Sequence, residues 1–150
     1  MIGLPSSGGS LKGEAMKINT TEIQVRYAET DAMGIAYHAN YLVWFEVGRT
    51  ALLAELGYPY AQLEADGIIL PVAECHVRYR VPAKYDDRLL IHSSCTELRG
   101  VSMVLSYRIE NKATGVLLAE GWTKHAIVDR NMKPVKIRDV NPKLLQMLQE

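Results

Sequence analysis

The sequence predicts an α+β fold in which about five antiparallel strands wrap one long apolar helix. Three observations lead there. One stretch only, from about His38–Asn40 to Leu56, repeats apolar residues at spacings of three and four. A single segment of period-two alternation precedes it and four follow it. The later segments are joined by short stretches of turn-forming residues.

At 150 residues the chain suits one domain with a core of its own. Seventeen Lys and Arg balance seventeen Asp and Glu, so no global field draws nucleic acid or an anionic membrane. An anionic ligand must be met by local basic groups. Cys75 and Cys95 fall in strand patterns and are expected to be buried, reduced thiols. No apolar run approaches the ~20 residues of a membrane span, and no charged-then-apolar signal opens the chain. A soluble cytoplasmic protein is the expectation.

Residues 1–15 are rich in Gly and Ser and lack periodicity, so they are read as a flexible leader before a domain spanning 16–150. From Thr20, Glu22, Gln24 and Arg26 alternate with Thr21, Ile23, Val25 and Tyr27, a half-buried strand that delivers the chain into the loop Glu29–Tyr37. In the helix, Tyr41, Phe45, Gly48, Leu52 and Leu56 form the apolar stripe, widened by Leu42, Trp44, Ala51 and Leu53. Gly57 and Pro59 end it.

Residues 60–67 read as a connector or helical turn. Cys75, Val77, Tyr79 and Val81 then alternate with polar partners until Pro82 stops the strand. Leu89–Cys95 follows, then Val101–Glu110 after Arg99-Gly100, then Val116–Val128 after the hairpin loop Asn111–Gly115. These four strands are expected to meander. Asn141-Pro142 opens a short terminal helix. Such a sheet leaves open edges, so at least a dimer is expected.

Chemistry concentrates in Tyr27–Tyr41. Asp31 sits in a loop that Gly34 lets turn, just before the helix start. A carboxylate beside a helix N-terminus can act on an acyl group whose carbonyl oxygen rests on the free N–H groups. Asp31 could attack that carbonyl or serve as general base for water, and the sequence leaves both open. The plain reading of Asp31 is a turn aspartate that satisfies backbone donors. Glu29 reads as a solvated strand-end residue. His38 offers a backbone N–H or an imidazole; Tyr37, Tyr41 and Trp44 could line an acyl pocket or simply pack. His76, His92 and His125 stand alone in separate strands, so no metal site is expected. The chain has neither GxxxxGK[ST] nor GxGxxG, which disfavours nucleotide hydrolysis and dinucleotide chemistry.

The run Tyr27-x-Glu29-Thr30-Asp31-x-x-Gly34-x-x-Tyr37-His38-x-x-Tyr41 resembles the signature of hot-dog-fold thioesterases, in the 4-hydroxybenzoyl-CoA and Tol–Pal-associated branch. Pro82–Asp87 and Arg99-Gly-x-Ser102 are secondary matches, and the resemblance covers roughly Ile18 to Met132. It implies hydrolysis of a short-chain or aromatic acyl-CoA by Asp31, with the His38 N–H on the thioester carbonyl. It implies that Arg99, with Ser102, approaches the coenzyme A phosphates, from a neighbouring subunit of a homodimer or homotetramer; Tyr37 and Gly34 are the further candidates to border the substrate. Lys84, Arg88, Arg130 and Lys133 are further phosphate candidates. No cofactor is expected, since coenzyme A is part of the substrate. The competing readings are hydrolysis on acyl carrier protein, which calls for a basic docking patch, and a non-catalytic acyl-CoA-binding protein.

Overall fold

The computed structural model describes residues 17–149; the expected leader lies outside them. Strand β1 (Ile18–Gln24) leads through a short 3-10 turn (Tyr27–Glu29) into helix α1 (Asn40–Glu55) and a small helix α2 (Tyr60–Ala65). Strands β2 (Val72–Tyr79), β3 (Arg88–Arg99), β4 (Ser102–Asn111) and β5 (Leu117–Ala126) follow, then α3 (Ile137–Val140) and α4 (Pro142–Gln149). The five strands form one antiparallel sheet, as the sequence predicts.

Period two in the strands and period 3.6 in the helix meet on the concave face of this sheet. Leu89 and Ile91 of β3, with Met103, Leu105, Tyr107 and Ile109 of β4, are fully buried there with Tyr41, Phe45, Leu52 and Leu53 of α1. Phe45 stacks on Tyr107 at 4.2 Å between ring centroids. Gly48 is what lets the helix lie so close: a Cβ there would stand 2.6 Å from Ser93 Oγ and 2.8 Å from Ile91 Cγ2. Pro142 opens α4 with Asn141 before it, whose Oδ1 accepts the N–H of Leu144 at 3.0 Å.

The later strands do not run as a simple meander. The order across the sheet is β1-β3-β4-β5-β2, so β2 pairs with β5 and lies at the edge opposite β1. Pro82 supplies no N–H to continue a ladder, and the segment Pro82–Asp87 instead carries the chain back across the end of the sheet to β3. On the way the Ala83 N–H donates to Tyr41 Oη (3.1 Å), the Ala83 carbonyl accepts from Ala36 (2.9 Å), and Asp87 pairs with Val25 (2.9 Å).

Edge position also corrects the expected burial of β2. Of the inward set only Val77 is half-buried; Cys75, Tyr79 and Val81 are exposed, because α1 packs over β1, β3 and β4. Cys75 is therefore an exposed free thiol rather than a buried one, whereas Cys95 is buried and free, its thiol pushed up to about 12 by burial. Among the described residues no helix is long and apolar enough to cross a membrane.

Candidate active site

The loop between β1 and α1 is built on Glu29, and here the structure overturns the expectation of a solvated residue. Glu29 is buried. Its carboxylate accepts from the Arg26 N–H at 2.8 Å and from Trp44 Nε1 at 3.2 Å, so it links the strand end to the second turn of the helix. Its backbone carbonyl accepts from the Tyr37 N–H and from Asn40 Nδ2, both at 2.8 Å. The residues between, 30 to 36, are thereby closed into a compact turn.

Within that turn the Asp31 N–H donates to Ile35 O at 2.8 Å and Gly34 N–H to Asp31 O at 2.9 Å, with Gly34 at a φ of +81° that a side chain would resist. Asp31 Oδ1 accepts from the Met33 N–H at 2.8 Å. Oδ2 has no hydrogen-bond partner among the described residues, and the side chain is half-buried. One oxygen thus anchors the group and the other is open to a reacting atom.

Seven residues on, the helix start presents its own open groups. The N–H groups of His38 and Ala39 have no acceptor among the described residues, and no side chain caps α1. The His38 carbonyl is held from the sheet by Tyr79 Oη at 2.9 Å, and the Tyr79 ring stands edge-on to both His38 and Tyr41. Together Ile35, Ala36, His38, Tyr41, Tyr79 and Pro82 border a cleft of about 170 Å³. Its walls are mostly apolar, with donors at one end.

Not every expected residue meets there. Tyr37 is exposed, and neither it nor Asp31 borders the cleft. Arg99 and Ser102 close the β3–β4 turn, where the Ser102 hydroxyl donates to the Arg99 carbonyl at 3.3 Å and Arg99 lies 3.9 Å from Glu97. Ser102 pairs with Ala126, whereas Tyr79 beside His38 pairs with Ala119 and so with the row of Ile109. Those rows are seven residues apart along β4, roughly 23 Å. Within one chain Arg99 and Ser102 are remote from Asp31 and His38.

Tyr79 was legible in the sequence only as an inward strand residue, and Glu29 only as a charged one. Among the described residues no group of His, Cys, Asp and Glu has the arrangement of a metal site.

Residues 25–148 match the thioesterase-like superfamily. The chain is 42% identical over 128 residues to the "Putative acyl-CoA thioesterase YneP" of Bacillus subtilis, covering 85% of this chain and 92% of that one. It is 37% identical over 122 residues to the acyl-CoA thioester hydrolase YbgC of Escherichia coli, covering 78% and 90%. The crystal structure of a DHNA-CoA thioesterase from Staphylococcus aureus superposes with a TM-score of 0.82 at 34% identity over 87% of each chain.

Proposed function

We propose that this chain, which belongs to the thioesterase-like superfamily and is a thioester hydrolase, cleaves acyl-CoA with Asp31 as its reacting carboxylate and the His38 N–H as oxyanion donor. The observation that carries the reading is the pairing of an anchored carboxylate with one open oxygen and a helix start with unengaged N–H groups on the same short loop. In the general-base route, Asp31 Oδ2 takes a proton from water as the water oxygen bonds to the thioester carbon. The carbonyl oxygen becomes an oxyanion on the His38 N–H; the C–S bond then breaks, the thiolate leaves, and it regains a proton as free CoA. In the nucleophilic route Asp31 Oδ2 itself bonds to that carbon, expels the thiolate, and the mixed anhydride is opened by water. Both routes need the same oxyanion donor, a contribution of about 3 kcal/mol in acyl transfer. Neither needs a cofactor.

The proposed substrates are short-chain or aromatic acyl-CoAs, and the proposed unit is a homodimer or homotetramer. The open edge of β2, with Val72, Tyr79 and Val81 exposed along or beside it, supports assembly. So does the distance of Arg99 and Ser102, which a second subunit would have to supply beside Tyr37 and Gly34. The test is release of CoA from an acyl-CoA panel. Asp31→Asn, which can keep its bond to the Met33 N–H, is expected to lower kcat by about 10² to 10⁴ without loss of folding. Retention of most activity by that variant overturns the assignment.

A further inference from the structure

A second cavity, of about 230 Å³, lies on the same seam between α1 and β2 as the cleft at His38. The two share their walls in sequence. Leu42, Glu46 and Arg49 follow one another at steps of four and three, so they form one stripe along the helix, and His38 stands four residues before Leu42 in the turn that leads into it. Opposite them Tyr79 and Cys75 share one face of β2. Leu42, Val43 and Val72 make the second cavity apolar, and Arg49 borders it.

Arg49 is the informative group. It is half-buried, its Nε donates to Tyr60 Oη at 3.0 Å, and no described carboxylate lies within salt-bridge reach of it. A guanidinium withdrawn from water without an anion is costly, and a carboxylate meeting its planar fork would relieve that cost. Thr123, which also borders the cavity, has no proton to offer. The Leu70 carbonyl can only accept, so His125 Nδ1 carries the proton of their 2.9 Å bond. Neutral His125 Nε2 then accepts the Thr123 hydroxyl at 2.8 Å, and the Thr123 oxygen accepts from Tyr107 at 2.6 Å. Arg49 is therefore the charged donor of this cavity. Glu46, on the rim, is exposed and stays in solvent.

At about 1.5 Å per residue, His38 and Arg49 are separated by roughly 16 Å along the helix axis, and long helical side chains characteristically point back toward the N-terminus by about a turn. The guanidinium then lies on the order of 10 Å from the oxyanion donor, the reach of a medium-length acyl group. We propose that the second cavity receives the far end of the acyl group and that Arg49 selects acyl groups ending in a carboxylate. This rests on the thioesterase reading above.

The test compares kcat/KM for adipyl- and suberyl-CoA with hexanoyl- and octanoyl-CoA, using the intact protein. Wild type is expected to favour the carboxylated member of each pair. Arg49→Met is expected to lower the carboxylated-to-plain ratio by roughly ten- to a hundredfold. Tyr60→Phe, which removes the arginine's structural bond and keeps its charge, is expected to leave that ratio in place. The proposal is overturned if wild type favours the plain acyl groups, if Arg49→Met lowers both rates in proportion, or if Tyr60→Phe shifts the ratio as far as Arg49→Met. Should Arg49→Met fail to fold, the wild-type preference decides. Release of CoA from hexanoyl-CoA without a carboxylate preference defeats this proposal alone, whereas no release from any of the four defeats the thioesterase reading as well.

Discussion

The phenol of Tyr79 donates to the carbonyl oxygen of His38 at 2.9 Å and so ties an edge strand to the peptide just before the helix. His38 is thus held by its carbonyl on one side while its N–H stays open on the other. Tyr79→Phe is expected to lower kcat about fivefold, the value of one net hydrogen bond near 1 kcal/mol. Circular dichroism should show an unchanged fold, and a kcat equal to wild type would remove Tyr79 from the positioning of the proposed oxyanion donor at His38.

Gly48→Ala tests how tightly the helix is seated. The new Cβ would meet Ser93 Oγ and Ile91 Cγ2 below 3 Å, an overpacking expected to cost about 1–3 kcal/mol in urea unfolding. Ser93 Oγ is buried with no partner among the described residues, so Ser93→Ala removes a clashing and unsatisfied atom. The double variant should be more stable than Gly48→Ala alone by a measurable coupling. Simple additivity would show that the two residues do not press on each other.

Acid sensitivity should come first from His125. Burial, with the Arg49 charge, lowers its pKa from 6.5, although its bond to Leu70 opposes the shift. Just below 6.5 the unfolded ring binds a proton that the folded ring refuses, so stability falls as pH falls, by at most about 1.4 kcal/mol per unit. The decline ends at the folded pKa. Glu22 and Glu55 are also lowered, from 4.5, by their bonds to Lys112 and Asn19, and because carboxylates titrate further down, their support is lost only at lower pH. The melting temperature should therefore drop between pH 7 and 5 in wild type and less steeply in His125→Asn. Parallel profiles would exclude His125 as the source.

Reading the sequence recovers the parts of this protein in which a period coincides with a face. Tyr41, Phe45, Gly48 and Leu52 mark the helix that the sheet buries, and Leu89 to Cys95 mark a strand beneath it. Strand neighbours are another matter. Nothing in the alternation of Cys75, Val77 and Tyr79 says that β2 crosses to the far edge, because period two reports a face and not a partner. The candidate site was legible as Asp31, Gly34 and His38 on one loop. Glu29 was not, since its role depends on a hydrogen bond from Trp44, fifteen residues away in sequence. Arg99 and Ser102 were legible only by resemblance, and one chain keeps them remote from the loop.

The order of the strands has a consequence for synthesis. β2 leaves the ribosome second among the strands, yet its only strand partner among the described residues, β5, leaves last. The 47 residues that follow Tyr79, through Ala126, take roughly two to ten seconds to translate. During that interval the nascent chain holds an already synthesised α1 and an unpaired β2, so the seam that carries His38, Tyr79 and Arg49 is the last part of the sheet to close. A stall in translation before Leu117 would leave that strand open to other nascent copies on the same message.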